Sequence, residues 1–450
     1  MCGSGMRSLA EYLLDRGWRV TGSDSVPLGH NAAVLRGSGI TIVEQVAETE
    51  PPDCDVVIYS PAIPDSNPER KAARERGIPE VSYPAMLGRL MSGHTGIAIA
   101  GTHGKSTTTA LLGWVLQHAG LRPSVVCGGE LLNTCRGGWA GSGGVFVAEA
   151  CEYRGSFLNL AAQHAAVLDI EPDHFDCYAD LDAAVRGYQE FVSRVPPEGL
   201  IACRADRPAV AAAVAGLRAR VSTFGVETAA DWTASDIARR PGRIAFRIAY
   251  RGQHWSAGVL HVPGVHNVLN ALAAAALAAE LGVTPPQFRA ALADFRGVRR
   301  RCERLGAWRG AELLDDYAHH PTAVAATIAA ARDEFPGRRL ICAFQPHQVS
   351  RTRMLLAELA ASLGGADQVL ILPVYSARET AETARATSEK LASAVPQGGS
   401  AARYIPTLDR LVTTLETDAR PGDVILLVGA GDIDRVRDEF SRRIPRYYAS

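Results

Sequence analysis

One junction, at residues 96–109, limits the fold of this chain more than any other feature of its sequence. An apolar strand predicted at 96–101 (GIAIAG) runs through the glycine turn of GTHGKSTTT, at 101–109, into a helix predicted at Ser106–Ala119. At such a junction the backbone N–H groups of the turn and the N-terminus of the helix hold phosphate groups. We therefore expect a parallel α/β sheet with a nucleotide-phosphate site at its edge.

The residue types within this loop suit a triphosphate and its metal. Gly101 and Gly104 allow the backbone to approach phosphate closely, Lys105 can reach the β- and γ-phosphates, and Ser106 offers a hydroxyl to Mg²⁺. The G-x-x-G-K-S spacing is shorter than the general G-x-x-x-x-G-K-[ST] motif, and a tight turn without a ligand is the alternative. Only three of the 47 basic residues are lysine, so a lysine at this position carries extra weight.

Two further polar residues follow predicted strands. Glu149 ends the strand predicted at Val145–Ala148, and His174 comes just after the strand predicted at Val167–Ile170. Parallel strands present their carboxyl ends at one edge of a sheet, so both residues would face Lys105 if the strands are neighbours. Mg²⁺ takes mainly oxygen ligands, and an acid after a strand can supply one. Taken alone, a helix cap at Glu149 and a satisfied loop histidine at His174 remain open.

The length of 450 residues exceeds what one hydrophobic core supports. Alternating strand and helix patterns predict three α/β domains in series, at residues 1–92, 93–297 and 298–450. The first and third are expected to be Rossmann-like, and the central one to be a P-loop-type ATPase domain with a parallel sheet. The first domain has a helix predicted at Ser8–Arg16 and strands at Trp18–Gly22, Val56–Tyr59 and Ile78–Val81. Residues 230–262 are β-rich, and the third domain has strands at Leu313–Asp315, Leu340–Phe344, Val369–Leu372 and Val424–Val428.

Composition narrows the functional class. The formal net charge is −1, so no overall field favours nucleic acid or an anionic membrane. The nine cysteines are scattered and never spaced C-x-x-C, which indicates free thiols in a reducing compartment. No apolar run is long enough to insert into a membrane. We therefore expect a cytoplasmic protein, a monomer or dimer, that binds neither nucleic acid nor membranes.

With these motifs in place, the chain resembles the Mur ligase family along nearly its whole length. The similarity runs, in order, through Gly3-Ser4-Gly5-Met6, Gly22-Ser23-Asp24, Ser60-Pro61-Ala62-Ile63, Asn67-Pro68-Glu69, residues 101–109, Glu149, residues 170–174 (IEPDH), residues 266–271 (HNVLNA), residues 315–321 (DDYAHHP), residues 344–347 (FQPH) with Arg351, and residues 429–433 (GAGDI). Several of these segments, notably DDYAHHP with FQPH, are typical of one branch of the family.

The resemblance implies an ATP- and Mg²⁺-dependent ligase, and that branch adds L-alanine to the lactyl carboxylate of UDP-N-acetylmuramate through an acyl phosphate. This reaction belongs to the synthesis of peptidoglycan precursors. One alternative is a sister ligase that adds a different amino acid or a peptide to the same UDP-sugar. Another is a catalytically inactive nucleotide-binding regulator.

The resemblance also implies roles for individual residues. ATP would contact Gly101, Thr102, His103, Gly104, Lys105, Ser106, Thr107, His266, Asn267, Asn270 and Asp316. Metal ligands would be Ser106, Glu149 and His174, and the UDP-sugar would contact Gly3, Gly5, Met6, Asp24, Ser60 and Asn67. The amino acid would contact Tyr317, His319 and Arg351, and the catalytic set would be Lys105, Glu149, His174, His319 and Arg351.

The sequence departs from the family pattern in three places. An apolar strand normally precedes the first glycine motif, and we expect the in-frame sequence upstream of Met1 to encode one. Residues 150–154 read ACEYR where many relatives have ADESD, and Gln348 stands where many have arginine. A neutral donor at 348 would weaken binding of a carboxylate by about 1–2 kcal/mol. The identity of the amino acid is therefore the least constrained part of the prediction.

Overall fold

A computed structural model describes residues 1–25, 29–46, 49–375, 380–396 and 401–441. The chain is an α/β protein, as its sequence predicts, and the described residues form four sheets, of two, two, ten and six strands. Within the described ranges, no helix combines the length and apolar character needed to cross a lipid bilayer.

The N-terminal segment forms two separate pairs of parallel strands. Its elements are α1 (Ser4–Asp15), β1 (Thr21–Asp24), α2 (Gly29–Gly37), β2 (Thr41–Glu44), β3 (Val57–Tyr59), α3 (Pro68–Glu75), β4 (Glu80–Ser82) and α4 (Tyr83–Met91). Strand β1 pairs with β2, and β3 pairs with β4. The helix predicted from Ser8 begins at Ser4, because the glycine motif forms its first turn.

Two strands predicted in this segment begin later than expected. The prediction of a strand from Trp18 was wrong, because the Trp18 N–H donates to Leu13 O (3.0 Å) and completes the end of α1. In the same way the Ile78 N–H donates to Ala73 O (2.8 Å) after α3. Gly17 and Gly77, with φ of 80° and 69°, make the left-handed step that such helix ends use. The residues just after each helix therefore complete the end of that helix, and strand pairing begins only after them.

The central segment holds a ten-stranded sheet with the order β14-β13-β12-β11-β10-β9-β5-β8-β6-β7. Its strands are β5 (Thr95–Ala100), β6 (Ser124–Leu131), β7 (Arg136–Trp139), β8 (Val145–Glu149), β9 (His164–Val167), β10 (Leu200–Arg204), β11 (Arg220–Val226), β12 (Trp232–Arg240), β13 (Arg243–Tyr250) and β14 (Gln253–Leu260). Its helices are α5 (Lys105–His118), a 3₁₀ segment (Tyr153–Asn159), α6 (Leu181–Val192), α7 (Pro208–Ala213), α8 (Val265–Glu280) and α9 (Pro285–Asp294). The strands from β12 to β6 in this order are parallel, while β13, β14 and β7 are antiparallel to their neighbours.

Strand β5 is buried on both faces. Ile97 and Ile99 belong to the core under α5 and α8, whereas Ala98 and Ala100 belong to a second core on the opposite face. A parallel strand covered on both sides has a continuous apolar run, which is why GIAIAG could be recognised from the sequence. The strand predicted at Val167–Ile170 was wrong: pairing covers His164–Val167, and the chain leaves the sheet at Leu168.

The C-terminal segment forms a six-stranded sheet with the order β15-β16-β20-β17-β18-β19. Its strands are β15 (Glu303–Trp308), β16 (Ala311–Asp316), β17 (Leu340–Gln345), β18 (Gln368–Ile371), β19 (Ala401–Tyr404) and β20 (Val424–Gly429). Its helices are α10 (Pro321–Glu334), α11 (Val349–Met354), α12 (Leu356–Leu363), α13 (Ala381–Ala394), α14 (Leu408–Asp418) and α15 (Asp434–Ser441). The four predicted strands are confirmed as β16, β17, β18 and β20, while the edge strands β15 and β19 were missed.

Helix α1 packs closely against β7 of the central sheet. The buried Glu11 carboxylate accepts hydrogen bonds from the N–H groups of Gly137 (2.8 Å) and Gly138 (2.9 Å). A Cβ atom at Gly138 would collide with the carbonyl of Ser8. The two glycines therefore let one backbone lie directly on the other, and this contact fixes the N-terminal segment beside the phosphate loop.

Candidate active site

A cleft of about 1840 Å³ opens at the carboxyl ends of the central strands and is lined by all three segments. Most of the predicted site residues line it: Gly3, Gly5, Asp24, Thr102, His103, Gly104, Lys105, Ser106, Thr107, Glu149, His174, His266, Asn267, Asn270, Asp316, Tyr317, His319 and Arg351. Four predicted residues do not line it: Met6, Ser60, Asn67 and Gly101.

The phosphate loop requires its glycines. Gly104 has φ of 81° and forms the N-cap of α5, and a Cβ there would lie 2.5 Å from Asn270 Oδ1. Gly101 lies behind the loop, where a Cβ would come within 2.9 Å of the Leu168 side chain. Both spacings are too short for any side chain. The loop therefore keeps its backbone N–H groups accessible at the N-terminus of a 14-residue helix.

Lys105 lies in a partly enclosed position and contacts a carboxylate that sequence reasoning missed. Its Nζ donates to the carbonyls of Gly101 and Thr102 (3.3 Å for the latter) and to Glu152 Oε2 at 3.0 Å. Burial alone would lower the pKa of Lys105, but the charge of Glu152 raises it above its ordinary value. The ammonium is therefore charged throughout the neutral range. Glu152 is the acid that the ACEYR segment shares with the ADESD of many relatives, and its position just after a strand end was the available clue.

Glu149 lies next to Ser106 at the end of β8. Its Oε1 accepts from the Gly128 N–H at 2.7 Å and from the Cys127 thiol at 3.3 Å, and the same thiol lies 3.3 Å from Ser106 O. The Ser106 hydroxyl accepts a hydrogen bond from Arg301 at 3.0 Å. The Cys127 thiol contacts both the Glu149 carboxylate and the Ser106 backbone carbonyl, so the two residues are neighbours. A carboxylate and a hydroxyl offer the oxygen ligands that Mg²⁺ prefers.

His174 and Lys105 share the Glu152 carboxylate. His174 Nε2 lies 3.6 Å from Glu152 Oε1, and Lys105 Nζ lies 3.2 Å from the same oxygen. The imidazole also packs against the Tyr153 ring at 5.2 Å. Its Nδ1 is buried and has no hydrogen-bond partner among the described residues. The predicted proximity of His174 to the phosphate loop is therefore present in the structure.

A buried ion pair joins the loop after β9, which contains Asp173 and His174, to the C-terminal segment. Arg351 Nε donates to Asp173 Oδ1 at 2.7 Å, and the side chains are 3% and 8% exposed. Burial would raise the pKa of Asp173, but the Arg351 charge lowers it well below its usual range. Arg351 also donates to His347 O at 3.2 Å. Arg351 is therefore positioned by the protein before any amino acid binds.

A polar cluster on α8 borders the phosphate loop. Asn270 Nδ2 donates to Asn267 Oδ1 at 3.1 Å, and Asn267 Nδ2 donates to Pro263 O at 2.7 Å. Burial and the nearby His103 lower the pKa of His266 to about 4, so its imidazole is neutral near pH 7. Neutral amide and imidazole groups beside a phosphate site suit a nucleobase better than a charged ligand.

The C-terminal segment contributes the DDYAHHP residues. Asp316 accepts from the N–H groups of Cys302 (2.6 Å) and Ala318 (2.7 Å), and burial raises its pKa. His319 Nδ1 donates to Tyr317 O at 2.9 Å. Burial, followed by the charge of Arg351, lowers the pKa of His319, so its imidazole is neutral. Asp316 thus organises its own loop, while Tyr317 and His319 face the cleft.

The N-terminal predictions divide into two groups. Asp24 lines the cleft at the end of β1, where its carboxylate accepts from the Cys2 N–H at 2.7 Å. By contrast, the Asn67 side chain caps α3 by accepting from the Arg70 N–H, and Ser60 Oγ accepts from the Ala62 N–H. Ser60, Asn67 and Met6 remain predicted contacts for a sugar nucleotide, without a place in the cleft lining.

Fold and site together define a class. The site has a phosphate loop at the edge of a parallel sheet, surrounded by a lysine, a hydroxyl, carboxylates and an imidazole. This arrangement is typical of enzymes that use the γ-phosphoryl group of a nucleoside triphosphate. Arg351 and His319 reach the same cleft from a second α/β segment, which provides room for further substrates.

Comparison with known sequences places the chain within this class. Family models match it over residues 1–95 (Mur ligase family, catalytic domain), 99–278 (Mur ligase middle domain) and 300–431 (Mur ligase, glutamate ligase domain). The chain belongs to the Mur ligase family of ATP-dependent ligases.

Two curated relatives have the name UDP-N-acetylmuramate–L-alanine ligase. The Salinibacter ruber protein is 40% identical over 440 residues, covering 97% of this chain and 92% of the relative. An Acidithiobacillus ferrooxidans protein is 42% identical over 436 residues, covering 96% and 94%.

Solved structures share the three-domain architecture. The UDP-N-acetylmuramate-alanine ligase of Thermotoga maritima has a TM-score of 0.82 at 28% identity, covering 98% of this chain and 96% of that one. A murein peptide ligase of Psychrobacter arcticus has a TM-score of 0.76 at 26% identity, covering 100% and 98%.

Proposed function

We propose that the protein joins L-alanine to the lactyl carboxylate of UDP-N-acetylmuramate, with conversion of ATP to ADP and phosphate, as a step in peptidoglycan precursor synthesis. The observation that carries this proposal is the single cleft that brings the phosphate loop of the central segment together with Arg351 and His319 of the C-terminal one. The near full-length similarity to alanine-adding ligases supports the choice of substrates.

Activation of the carboxylate would take place at the phosphate loop. A carboxylate is a poor acyl donor, so its oxygen attacks the γ-phosphorus, the bond to the β-phosphate oxygen breaks, and ADP leaves. The developing negative charge lies on equatorial phosphoryl oxygens, where the Lys105 ammonium and the N–H groups of α5 would stabilise it. Asn267, Asn270 and His266 would receive the base of ATP, and Asp316 its ribose.

Mg²⁺ fits the donor set present. Ser106 and Glu149 would hold one ion and His174 a second, and bound Mg²⁺ supplies positive charge to the phosphoryl oxygens. The protein positions these ligands itself, because the Gly128 N–H and the Cys127 thiol orient the Glu149 carboxylate.

The second half of the reaction would be attack of the alanine amine on the acyl phosphate. The amine nitrogen bonds to the acyl carbon, the tetrahedral intermediate collapses, and inorganic phosphate leaves. Arg351, Tyr317 and His319 line the side of the cleft where this amine would enter. Neutral His319 can accept a proton at Nε2, because its Nδ1–H is donated to Tyr317 O.

The sugar nucleotide would enter from the N-terminal segment, with Gly3, Gly5 and Asp24 as contacts in the cleft. We place the junctions between the three units near residues 92 and 298 and propose that they close over the substrates. X-ray scattering curves that do not change on adding nucleotides would argue against closure. We also place the enzyme in the cytoplasm, where ATP and UDP-sugars are available, and cell fractionation tests this.

Phosphate release with purified protein, ATP, Mg²⁺ and UDP-N-acetylmuramate tests the proposal. L-alanine should support turnover better than glycine or L-serine, and a tripeptide should not support it. Turnover with the tripeptide but with none of the three amino acids would instead indicate a murein peptide ligase, like the second solved structure described above. ATP binding without turnover on any amine would indicate an inactive regulator.

The Gln348 departure gives a sharper test of the amino-acid pocket. Gln348 lines the cleft at the start of α11, with φ of 67°. Replacing it with arginine should lower the KM for L-alanine by roughly 5- to 30-fold, because a charge-assisted hydrogen bond replaces a neutral one. An unchanged KM for alanine, with ATP kinetics also unchanged, would place the alanine carboxylate away from residue 348.

A further inference from the structure

Three side chains that the proposed reaction does not use as metal ligands meet beside the phosphate loop. They are His103, which follows β5, Glu171, which follows β9, and His320, the N-cap of α10. One potential ligand atom from each lies within 4.8 Å of the other two. His103 Nε2 is 3.1 Å and His320 Nδ1 is 3.4 Å from the same oxygen, Glu171 Oε2.

The tautomer of His320 leaves one ring nitrogen in this cluster without a hydrogen. His320 Nε2 lies 3.2 Å from Pro172 O, and because a carbonyl oxygen only accepts, Nε2 carries the hydrogen. Burial and the nearby His103 lower the pKa of His320, so the ring is neutral near pH 7 and Nδ1 is a bare lone pair. The residue is 4% exposed and Nδ1 has no hydrogen-bond partner among the described residues. A lone pair therefore points at a carboxylate oxygen.

We propose that His103, Glu171 and His320 form a site for a divalent transition metal ion, for which Zn²⁺ is the best match. A tetrahedral zinc ion with bonds of about 2.0–2.2 Å separates its ligand atoms by roughly 3.4 Å, close to the spacings from Glu171 Oε2 to the two rings. Two imidazoles and one carboxylate suit Zn²⁺ and its neighbours in the first row, whereas Mg²⁺ takes mainly oxygen ligands and rarely two imidazoles together.

The surroundings hold these ligands in place. Pro172 O accepts from His320 and fixes its tautomer, which is how zinc-binding histidines are commonly oriented. The Thr322 hydroxyl donates to Glu171 Oε2 at 2.6 Å. The ion would link the loop after β5 and the loop after β9 to the start of α10, and so join the central and C-terminal segments beside the phosphate loop.

Titration with Co²⁺, in a buffer with excess Mg²⁺ and no nucleotide, tests the site spectroscopically in the full-length protein. One equivalent of Co²⁺ should give the intense visible bands of a four-coordinate ion without a thiolate-to-cobalt band. Glu171→Gln and His320→Gln should weaken binding by more than roughly 100-fold, since even outer-shell changes cost 10–100-fold. Glutamine at 320 can still donate to Pro172 O. His254→Gln and Glu198→Gln, at exposed positions, serve as matched controls and should bind Co²⁺ normally.

A measurement on the unaltered protein covers the case in which a variant fails to fold. X-ray absorption of the protein loaded with one equivalent of Zn²⁺ should show nitrogen and oxygen neighbours with imidazole scattering and no sulfur. A sulfur shell, a thiolate band with Co²⁺, or unchanged affinity in both folded variants would overturn the proposal. None of these outcomes bears on ligase turnover, which is measured with Mg²⁺ alone.

Discussion

Replacing Lys105 with alanine should damage folding stability and catalysis by two separable routes. The Lys105 and Glu152 side chains are 16% and 5% exposed, so they form a largely buried ion pair. Breaking such a pair by removing one partner costs about 3–5 kcal/mol, because the other charge is left uncompensated. Within the described residues, the other basic side chain close to Glu152 is the His174 imidazole, whose Nε2 lies 3.6 Å from Glu152 Oε1.

A second change separates the two routes. In the double variant Lys105→Ala/Glu152→Gln the unpaired carboxylate of Glu152 is gone. The remaining decrease in the free energy of unfolding comes from the lost hydrogen bonds to Gly101 O and Thr102 O, each worth about 1 kcal/mol. The double variant should therefore be about 2 kcal/mol more stable than Lys105→Ala alone. Catalysis should not recover: loss of a preorganised cation at the phosphoryl group lowers kcat by at least roughly 100-fold in both variants.

Urea unfolding followed by tryptophan fluorescence measures the first effect, and phosphate release under saturating substrates measures the second. Lys390→Ala, on the exposed face of α13, is the matched control and should change neither. If Glu152→Gln failed to restore stability in the Lys105→Ala background, the buried pair would not be the source of the loss. Recovery of turnover in the double variant would show that Lys105 acts only by neutralising Glu152.

Three further perturbations test other parts of the structure. Burial alone would raise the pKa of Glu130, but hydrogen bonds from His30 and Arg7 lower it to about 2. This folded value lies below the unfolded value of about 4.3, so the stabilisation is complete above that pH and is lost as pH falls toward 2. Glu130→Gln should remove this acid-induced loss, measured by circular dichroism, and an unaltered acid profile would contradict the assignment. Arg351→Ala should destabilise the protein by about 3–5 kcal/mol, because it leaves the buried Asp173 carboxylate without its partner. Adding Asp173→Asn to this variant should recover part of the lost stability in urea unfolding. If the two changes instead destabilise the protein additively, the ion pair is not the source of the loss. A disulfide reagent should modify exposed Cys135 in the native protein but reach the buried thiols only on unfolding; peptide mapping that finds Cys342 labelled as fast as Cys135 would refute this.

Much of the architecture was accessible from sequence because parallel strands buried on both faces leave long apolar runs. The runs at β5, β17 and β20 are of this kind, and each was placed within a residue or two. Edge strands show a weaker apolar pattern in the sequence, because one of their two sides has no neighbouring strand. Strand β15 (ERLGAW) is interrupted by a bulge near Gly306, and β19 (AARY) has an arginine within its four residues.

The site was predictable where chemistry depends on local sequence. The phosphate loop, Glu149 and His174 could be named as candidates because each lies at or beyond the end of a strand in a parallel sheet. The metal roles of Glu149 and His174 came from the family resemblance and stay predictions. Glu152 could not be assigned a role, because its contact with Lys105 depends on how the 3₁₀ segment bends, and Arg154 and Gly155 there have positive φ. The pairing of Arg351 with Asp173 was equally hidden, since the two residues lie in different segments and only packing brings them together.

The contact of α1 with β7 limits how members of this family could exchange parts. Glu11 reaches the central sheet by bonding to bare backbone at two consecutive glycines, and Ser8 lies where even a methyl group would collide. Residues 1–92 of this chain, grafted onto a relative with larger residues at the positions of Gly137 and Gly138, would lose this contact, because a side chain there would collide with Ser8. The recombination unit is therefore discontinuous: an N-terminal graft has to travel with the β6–β7 hairpin, whose residues come some 120 positions later than α1.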